Sequence, residues 1–210
     1  ENTLKIVKKD KKNFDIILLS TNKNINKIFK QAREFKVKNI IISDLNSFHK
    51  AQRKFKKSKI KIYNNFNNFK KIFRVKNDFI MSSITGLSGL EPTLKSIRFT
   101  KKILVANKEA IICGWNLINK ELKKHKTNFV PVDSEHFSVH SLLNSENEKE
   151  IDKIYITASG GPFLNLPKKK FTSIKPTEAL KHPNWKMGKK ISIDSATLMN
   201  KVFEVIEAKN

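Results

Sequence analysis

Ile103–Lys124 reads I-L-V-A-N-K-E-A-I-I-C-G-W-N-L-I-N-K-E-L-K-K, and its reading decides the fold. Ile103–Ala106 is a short apolar run that stops at a polar step, Asn107-Lys108-Glu109. From there apolar residues recur at Ile111, Ile112, Trp115 and Ile118, the spacing of one helix face. A buried strand feeding an amphipathic helix is half of a βαβ unit, the building block of parallel sheets covered by helices on both faces. Cys113 lies within the apolar pattern, which predicts a buried structural thiol.

The same alternation extends both ways. Further strands are predicted at Ile16–Leu19, Asn39–Ser43, Ile60–Tyr63, Phe79–Ser82, Phe129–Val132 and Ile154–Thr157. Helices are predicted around Ile25–Phe35, Ser47–Lys56, Asn65–Phe73, Glu91–Phe99, Glu109–Lys124 and Phe137–Leu143. The expected class is α/β with a parallel sheet.

Composition narrows the function. With 210 residues, 39% of them apolar, the chain can bury a sizeable core, and no run approaches the ~18 apolar residues of a membrane span. The N-terminus is polar and has no apolar signal-peptide core. A single cysteine excludes an intrachain disulfide framework and fits a reducing compartment. The net charge is +24, from 43 Lys and Arg against 19 Asp and Glu, so nucleic acid is a candidate partner. Against it, the lysines are spread over every kind of element, with no arginine-rich arm and no platform of stacking aromatics. Most of the charge reads as solvated surface.

In parallel sheets ligands bind at the carboxyl ends of strands. After Leu19 comes Ser20-Thr21-Asn22-Lys23-Asn24, a polar turn able to meet a nucleotide, although an ordinary βα loop has the same make-up. After Ser82 comes a small-residue turn with Gly86 and Gly89, which alone is a weak signal. Val132 is followed by Asp133-Ser134-Glu135-His136; in extended chain the two carboxylates point to one side, as hard oxygen ligands for Mg²⁺ or Mn²⁺ should. Thr157 is followed by Ala158-Ser159-Gly160-Gly161-Pro162-Phe163, a tight turn suited to an anion. From Leu164 to Lys190 the rhythm is lost, and this stretch holds His182-Pro183-Asn184-Trp185 and Lys186-Met187-Gly188. A long loop carrying a Trp beside a His reads as a lid.

Lys189–Glu204 closes the argument with K-K-I-S-I-D-S-A-T-L-M-N-K-V-F-E. An alternating strand-like run, Ile191–Ile193, is expected to end at Asp194-Ser195, a helix N-cap. Asn200, Lys201 and Glu204 then fall on about one third of the helix circumference. A short acceptor, a cation and a carboxylate there could serve a phosphate and a metal; a solvated helix face explains the spacing equally well.

Together these stations resemble one family. N-K-E-A at Asn107–Ala110, P-V-D-S-E-H at Pro131–His136, S-G-G-P-F at Ser159–Phe163, H-P-N-W-x-M-G at His182–Gly188 and I-D-S-A-T-x-M-N-K-x-x-E at Ile193–Glu204 are similar to the motifs of 1-deoxy-D-xylulose 5-phosphate reductoisomerases. The resemblance implies a Rossmann-like NADPH-binding domain over residues 1–132, then part of an α+β catalytic domain with a lid loop over 133–210. It implies conversion of 1-deoxy-D-xylulose 5-phosphate to 2-C-methyl-D-erythritol 4-phosphate in the non-mevalonate isoprenoid pathway, using NADPH and Mg²⁺ or Mn²⁺. By the same carry-over, Asp133, Glu135 and Glu204 are metal ligands. Lys108, Ser134, Ser159, His182, Ser195, Asn200 and Lys201 contact the sugar phosphate, and Trp185 closes over it. Asn107, Glu109 and Gly188 face NADPH, with Asn22, Lys23 and Asn24 near its adenosine end. The family's members are homodimers, placed in the bacterial cytoplasm or a plastid-type compartment.

Three departures shape the expectation. The family's glycine-rich cofactor turn would precede Thr3-Leu4, Asn22 replaces a usual glycine, and the chain stops at Asn210, soon after Glu204. The sequence reads as an internal fragment, inactive by itself, of a full-length enzyme. A basic nucleic-acid-binding module and a degenerate paralogue are the alternatives, and the intact carboxylate trio speaks against the second.

Overall fold

The computed structural model describes residues 1–143 and 150–209, which fall into two units divided between Lys76 and Asn77. The first unit runs α1 (Asn2–Lys9), β1 (Leu18–Thr21), α2 (Ile25–Glu34), β2 (Asn39–Ile42), α3 (Leu45–Lys54), β3 (Lys61–Tyr63) and α4 (Phe69–Ile72). Its three strands are parallel in the order β1-β2-β3, with Leu19 opposite Ile40 and Ile40 opposite Ile62. Both crossover helices start on a side-chain cap: Asn24 Oδ1 accepts from Lys27 N at 3.1 Å, and Asp44 Oδ1 from Ser47 N at 2.8 Å. Helix α2 stops where Lys36 turns left-handed and Val37 N returns to Ala32 O at 2.7 Å. Ile28, Phe29 and Ala32 of α2 then pack on Ile40, Ile42 and Ala51, and Phe29 stacks on Phe55. Each buried isoleucine there stabilises the unit by roughly 1.5–3 kcal/mol.

The second unit contains β4 (Asn77–Ser82), α5 (Leu90–Ile97), β5 (Thr100–Val105), α6 (Lys108–His125), β6 (Asn128–Pro131), α7 (Ser134–Leu143), α8 (Pro176–Ala179), α9 (Lys189–Ala196) and α10 (Met199–Lys209). Its strands are parallel in the order β4-β5-β6, and Ile103 on the central strand lies between Ile80 and Phe129. Ile97, Ile103, Val105, Ile111, Ile118 and Leu122 form the core, flanked by Leu90, Leu94, Trp115 and Phe129. Buried Thr127 joins the bottom of this core by donating to Ile97 O at 2.9 Å or Thr100 O at 3.0 Å. Both units are α/β with parallel strands. No helix among the described residues is long and apolar enough to cross a membrane.

Several expectations need correction. Cys113 is exposed: the buried stripe of α6 runs through Ala110, Ile111, Gly114, Ile118 and Leu122, and position 113 lies about 200° round the helix from Ile111. Ile154–Thr157 forms no strand, and Tyr155 is 84% exposed; β-branched residues become a strand only where a partner completes the ladder. Strand β1 begins two residues later than expected, where Leu18 comes into register with Asn39. Ile191–Ile193 is not strand-like but the middle of α9, whose N-cap residue is Gly188. Both isoleucines stay about 40% exposed, so their alternation never answered to a sheet. Asp194 is therefore no cap, and its carboxylate accepts from Lys190 at 2.6 Å one turn earlier. The actual break comes at Leu198, left-handed at φ 61°, directly before α10. Finally, the 164–190 stretch is not a bare loop: it contains a 3-10 segment, Lys168–Ser173, and α8, whose start is closed by Glu178 Oε2 accepting from Lys175 N at 2.7 Å. The division between Lys76 and Asn77 is one of compactness and does not bear on the expected functional boundary after residue 132.

Candidate active site

Helix α10 carries its polarity the wrong way round for a surface helix. Its buried residues are Glu204 and Glu207, whereas Val205 is 54% and Val202 46% exposed. A buried carboxylate is informative because it costs several kcal/mol unless paired or bound to a cation. Glu204, 1% exposed, is surrounded: Lys201 Nζ pairs with Oε2, while Oε1 receives Asn200 Nδ2 and lies 3.4 Å from Lys108 Nζ.

Lys108 comes from the first turn of α6, one residue past its N-cap Asn107, so the end of β5 places it. Its ammonium is also 3.0 Å from Asp133 Oδ2 and 2.9 Å from Asn200 Oδ1. Burial works against this charge, but the Asp133 and Glu204 carboxylates prevail and hold Lys108 above its ordinary value. Asp133 follows β6 and heads α7, its carbonyl accepting from Phe137 N at 2.8 Å. The pair Asp133 and Glu135 is thus not extended, as the sequence reading had it: Glu135 sits in the helix's first turn. The two still converge, because a residue at a helix start and one in its first turn both look out of that end. One carboxylate oxygen each from Asp133, Glu135 and Glu204 lie within 4.8 Å of one another.

Three carboxylates so close cannot all ionise freely. Burial, then a hydrogen bond with Glu135, push Asp133 up to about 6 against the pull of Lys108. Burial also works to raise Glu135, but the hydrogen bonds from Asp133 and Ser134 outweigh it and bring Glu135 down to about 2. Ser134 Oγ donates to Glu135 Oε2 at 2.7 Å. Hard, acceptor-only oxygens, one fully buried, with two lysines standing in as counter-charges, fit a divalent cation such as Mg²⁺ or Mn²⁺.

A second cluster faces the turn after residue 158. His182 Nδ1 accepts from the backbone N–H of Asn184 and of Trp185, at 3.2 and 3.1 Å. That fixes the tautomer: Nε2 carries the proton and donates to Ser159 Oγ at 3.1 Å. Gly161 has a positive φ, and a Cβ there would stand 2.9 Å from Ser195 O and 3.0 Å from Ala196 Cα. Only glycine lets the Ser159–Gly161 turn lie against the end of α9. Trp185, in the loop leading to α9, is 65% exposed.

The residues expected at a cofactor have other partners. Asn107 is buried: its Oδ1 caps α6 by accepting from Ala110 N at 3.0 Å, and its Nδ2 donates to Ile84 O and Gly86 O, pinning the turn after β4. Glu109 pairs with Lys190 at 3.0 Å, tying α6 to α9, and hydrogen bonds hold it below the ordinary carboxylate range despite partial burial. Gly188 O receives both Ser192 N and Ser192 Oγ at 3.1 Å. In the first unit, Asn22 donates to Ser43 Oγ at 2.9 Å and Asn24 caps α2; Lys23 lies between them. The sequence reading assigned nothing to Glu207 or Lys190, although Glu207 repeats the Glu204 position one helical turn on.

The second unit thus holds a lysine-neutralised carboxylate trio and a serine-histidine turn, side chains of the kind that can hold a cation and a small anion. The comparison with known proteins names the particular group. A family model described as 1-deoxy-D-xylulose 5-phosphate reductoisomerase matches residues 1–114, and one described as its C-terminal domain matches residues 129–210. The chain belongs to the 1-deoxy-D-xylulose 5-phosphate reductoisomerase family.

Among relatives, the Pelagibacter ubique 1-deoxy-D-xylulose 5-phosphate reductoisomerase is 60% identical over 208 residues, covering 98% of this chain and 54% of that protein. The Caldanaerobacter subterraneus protein of the same name is 39% identical, covering 99% and 54%. Among solved structures, the Zymomonas mobilis reductoisomerase in complex with NADPH superposes with a TM-score of 0.87 at 31% identity, covering 99% of this chain and 54% of that one. A DOX-P reductoisomerase in complex with NADPH, fosmidomycin and magnesium gives 0.83 at 32%, covering 98% and 53%. The chain spans about half the length of the relatives it matches.

Proposed function

We propose that the full-length protein carrying this chain converts 1-deoxy-D-xylulose 5-phosphate to 2-C-methyl-D-erythritol 4-phosphate in non-mevalonate isoprenoid synthesis, with NADPH and Mg²⁺ or Mn²⁺. The observation that carries the reading is the convergence of Asp133, Glu135 and Glu204 on one another, with Lys108 paired to Asp133 and Glu204 and hydrogen-bonded to Asn200. Family membership and the NADPH and magnesium complexes of structural neighbours support it.

Asp133, Glu135 and Glu204 would hold the cation, and Lys108, freed from neutralising them, would turn to a substrate oxygen. When bound, the cation supplies Lewis-acid polarisation of the substrate's oxygens, and NADPH supplies hydride. Ser159, His182, Ser195, Asn200 and Lys201 would take the phosphate end. The Nε2–H of His182, now on Ser159 Oγ, is a ready donor to an anionic oxygen. Binding energy gathered there, away from the reacting carbons, can hold Trp185 and its loop over the substrate and exclude water. Residues 1–132 would serve NADPH and 133–210 the metal and substrate, with the protein a homodimer of the bacterial cytoplasm or a plastid-type compartment.

The test is Glu204→Gln in the full-length protein, followed by NADPH oxidation with the sugar phosphate and Mn²⁺. Losing an outer partner of a metal ligand already costs about 10–100-fold. Losing a ligand is expected to cost more, and activity within tenfold of the parent overturns the site.

A further inference from the structure

A second carboxylate on α10 is buried without a role in the steps above. Glu207, 4% exposed, places Oε1 2.8 Å from Nδ1 of His136, itself 7% exposed. The two groups are in ion-pair contact at this distance, without the angle of a hydrogen bond. Neither oxygen of Glu207, nor Nε2 of His136, has a hydrogen-bond partner among the described residues. Burying two such groups is costly, and a well-packed apolar pair would commonly be as stable or more so. Stability alone does not account for this pair.

Its position does. His136 directly follows Glu135 in the first turn of α7, and Glu207 follows Glu204 by three residues, on the same face of α10. The contact therefore links the two helices that carry the carboxylate set, one residue from one member and one turn from another. Glu207 is not a member of the converging trio. Mg²⁺ demands near-ideal octahedral geometry, so helices free to slide past each other would lose it.

We infer that His136 and Glu207 form a clasp between α7 and α10 that positions Glu135 and Glu204 for the cation. They are positioning residues, not ligands, and the inference rests on the metal site proposed above.

The test is Mn²⁺ affinity in the full-length protein, read from the spin-resonance signal of free Mn²⁺, with NADPH affinity read separately by fluorescence. Glu207→Ala is expected to weaken Mn²⁺ about tenfold, the lower end for an outer partner, and to leave NADPH affinity within twofold. Glu207→Gln keeps a polar side chain of the same size against Nδ1 and is expected to recover most of that loss. A folded Glu207→Ala that binds Mn²⁺ within twofold of the parent overturns the clasp, as does equal loss in Ala and Gln variants, which would mean a charge effect. If Glu207→Ala does not fold, His136→Phe decides by the same thresholds, because the ring stays and its polar nitrogens go. Glu204→Gln in the same titration separates the two readings: if it too keeps its Mn²⁺, the carboxylate site is wrong; if it alone loses Mn²⁺, only the clasp fails.

Discussion

Lys108 occupies the position a cation's charge would take, so its removal has two opposite effects. In Lys108→Met the side-chain volume is nearly kept, but the carboxylates of Asp133 and Glu204, 3.0 and 3.4 Å from the ammonium, lose their neutralising partner. Breaking a buried pair from one side costs about 3–5 kcal/mol, and that is the expected loss of metal-free stability. The cation, in turn, no longer competes with a resident charge. A unit charge about 4 Å from another is worth roughly 4 kcal/mol at an effective dielectric constant of about 20. The lysine can swing partly aside, so about tenfold tighter Mn²⁺ binding is expected, equal to about 1.4 kcal/mol. At a Mn²⁺ concentration of about 100 times the parent's Kd, the parent gains about 2.7 kcal/mol and the variant about 4.1. Urea unfolding of the full-length protein with and without Mn²⁺ reads this directly: the variant's deficit should shrink by about 1.4 kcal/mol when the metal is present. A deficit that stays the same or grows with Mn²⁺ refutes the reasoning, because it would mean that the lysine does not compete for the site.

Other outcomes follow from the same structure. Because Asp133 is pushed up to about 6, a cation competes with its proton below that pH; Mn²⁺ affinity should be about tenfold weaker at pH 5 than at pH 7 and level above, as a titration at several pH values would register. By linkage, a carboxyl raised above its unfolded value takes stability from the metal-free fold as pH climbs from about 4 to about 6. Gly161→Ala combines a left-handed backbone, about 1–2 kcal/mol, with a clash against Ser195 and Ala196 backbone, and should lower stability by roughly 3 kcal/mol in urea. Asn107→Ala removes the α6 cap and the donor to two carbonyls, with an expected loss of about 2–3 kcal/mol in the same assay. An unchanged unfolding midpoint in either variant would contradict the packing described.

The strand-to-helix rhythm was legible because burial writes it directly: Ile103 and Val105 are inaccessible on a central strand, and Ile111 and Ile118 recur at helical spacing beneath it. The carboxylate trio was legible only through its motifs, since nothing local brings Glu204 to Asp133 across some seventy residues; that meeting is made by α10 packing on α6 and α7. Local pattern misled where the neighbour was missing from the argument. Ile191–Ile193 alternates like a strand, yet β-branched residues lower helix stability by only a few tenths of a kcal/mol each, and without a ladder partner the helix wins. His136 and Glu207 escaped notice for a related reason: each is an ordinary residue in its own helix, and only the facing helix gives it meaning.

The exposed thiol of Cys113 has a practical consequence. It is the single cysteine in these 210 residues, and it stands five residues beyond Lys108 on the same helix, about 7.5 Å along the axis. Within this stretch a fluorophore or nitroxide can therefore be attached without changing any residue, on a rigid rod whose first turn touches the carboxylates. Cation arrival and the release of Lys108 could then be followed from the helix itself.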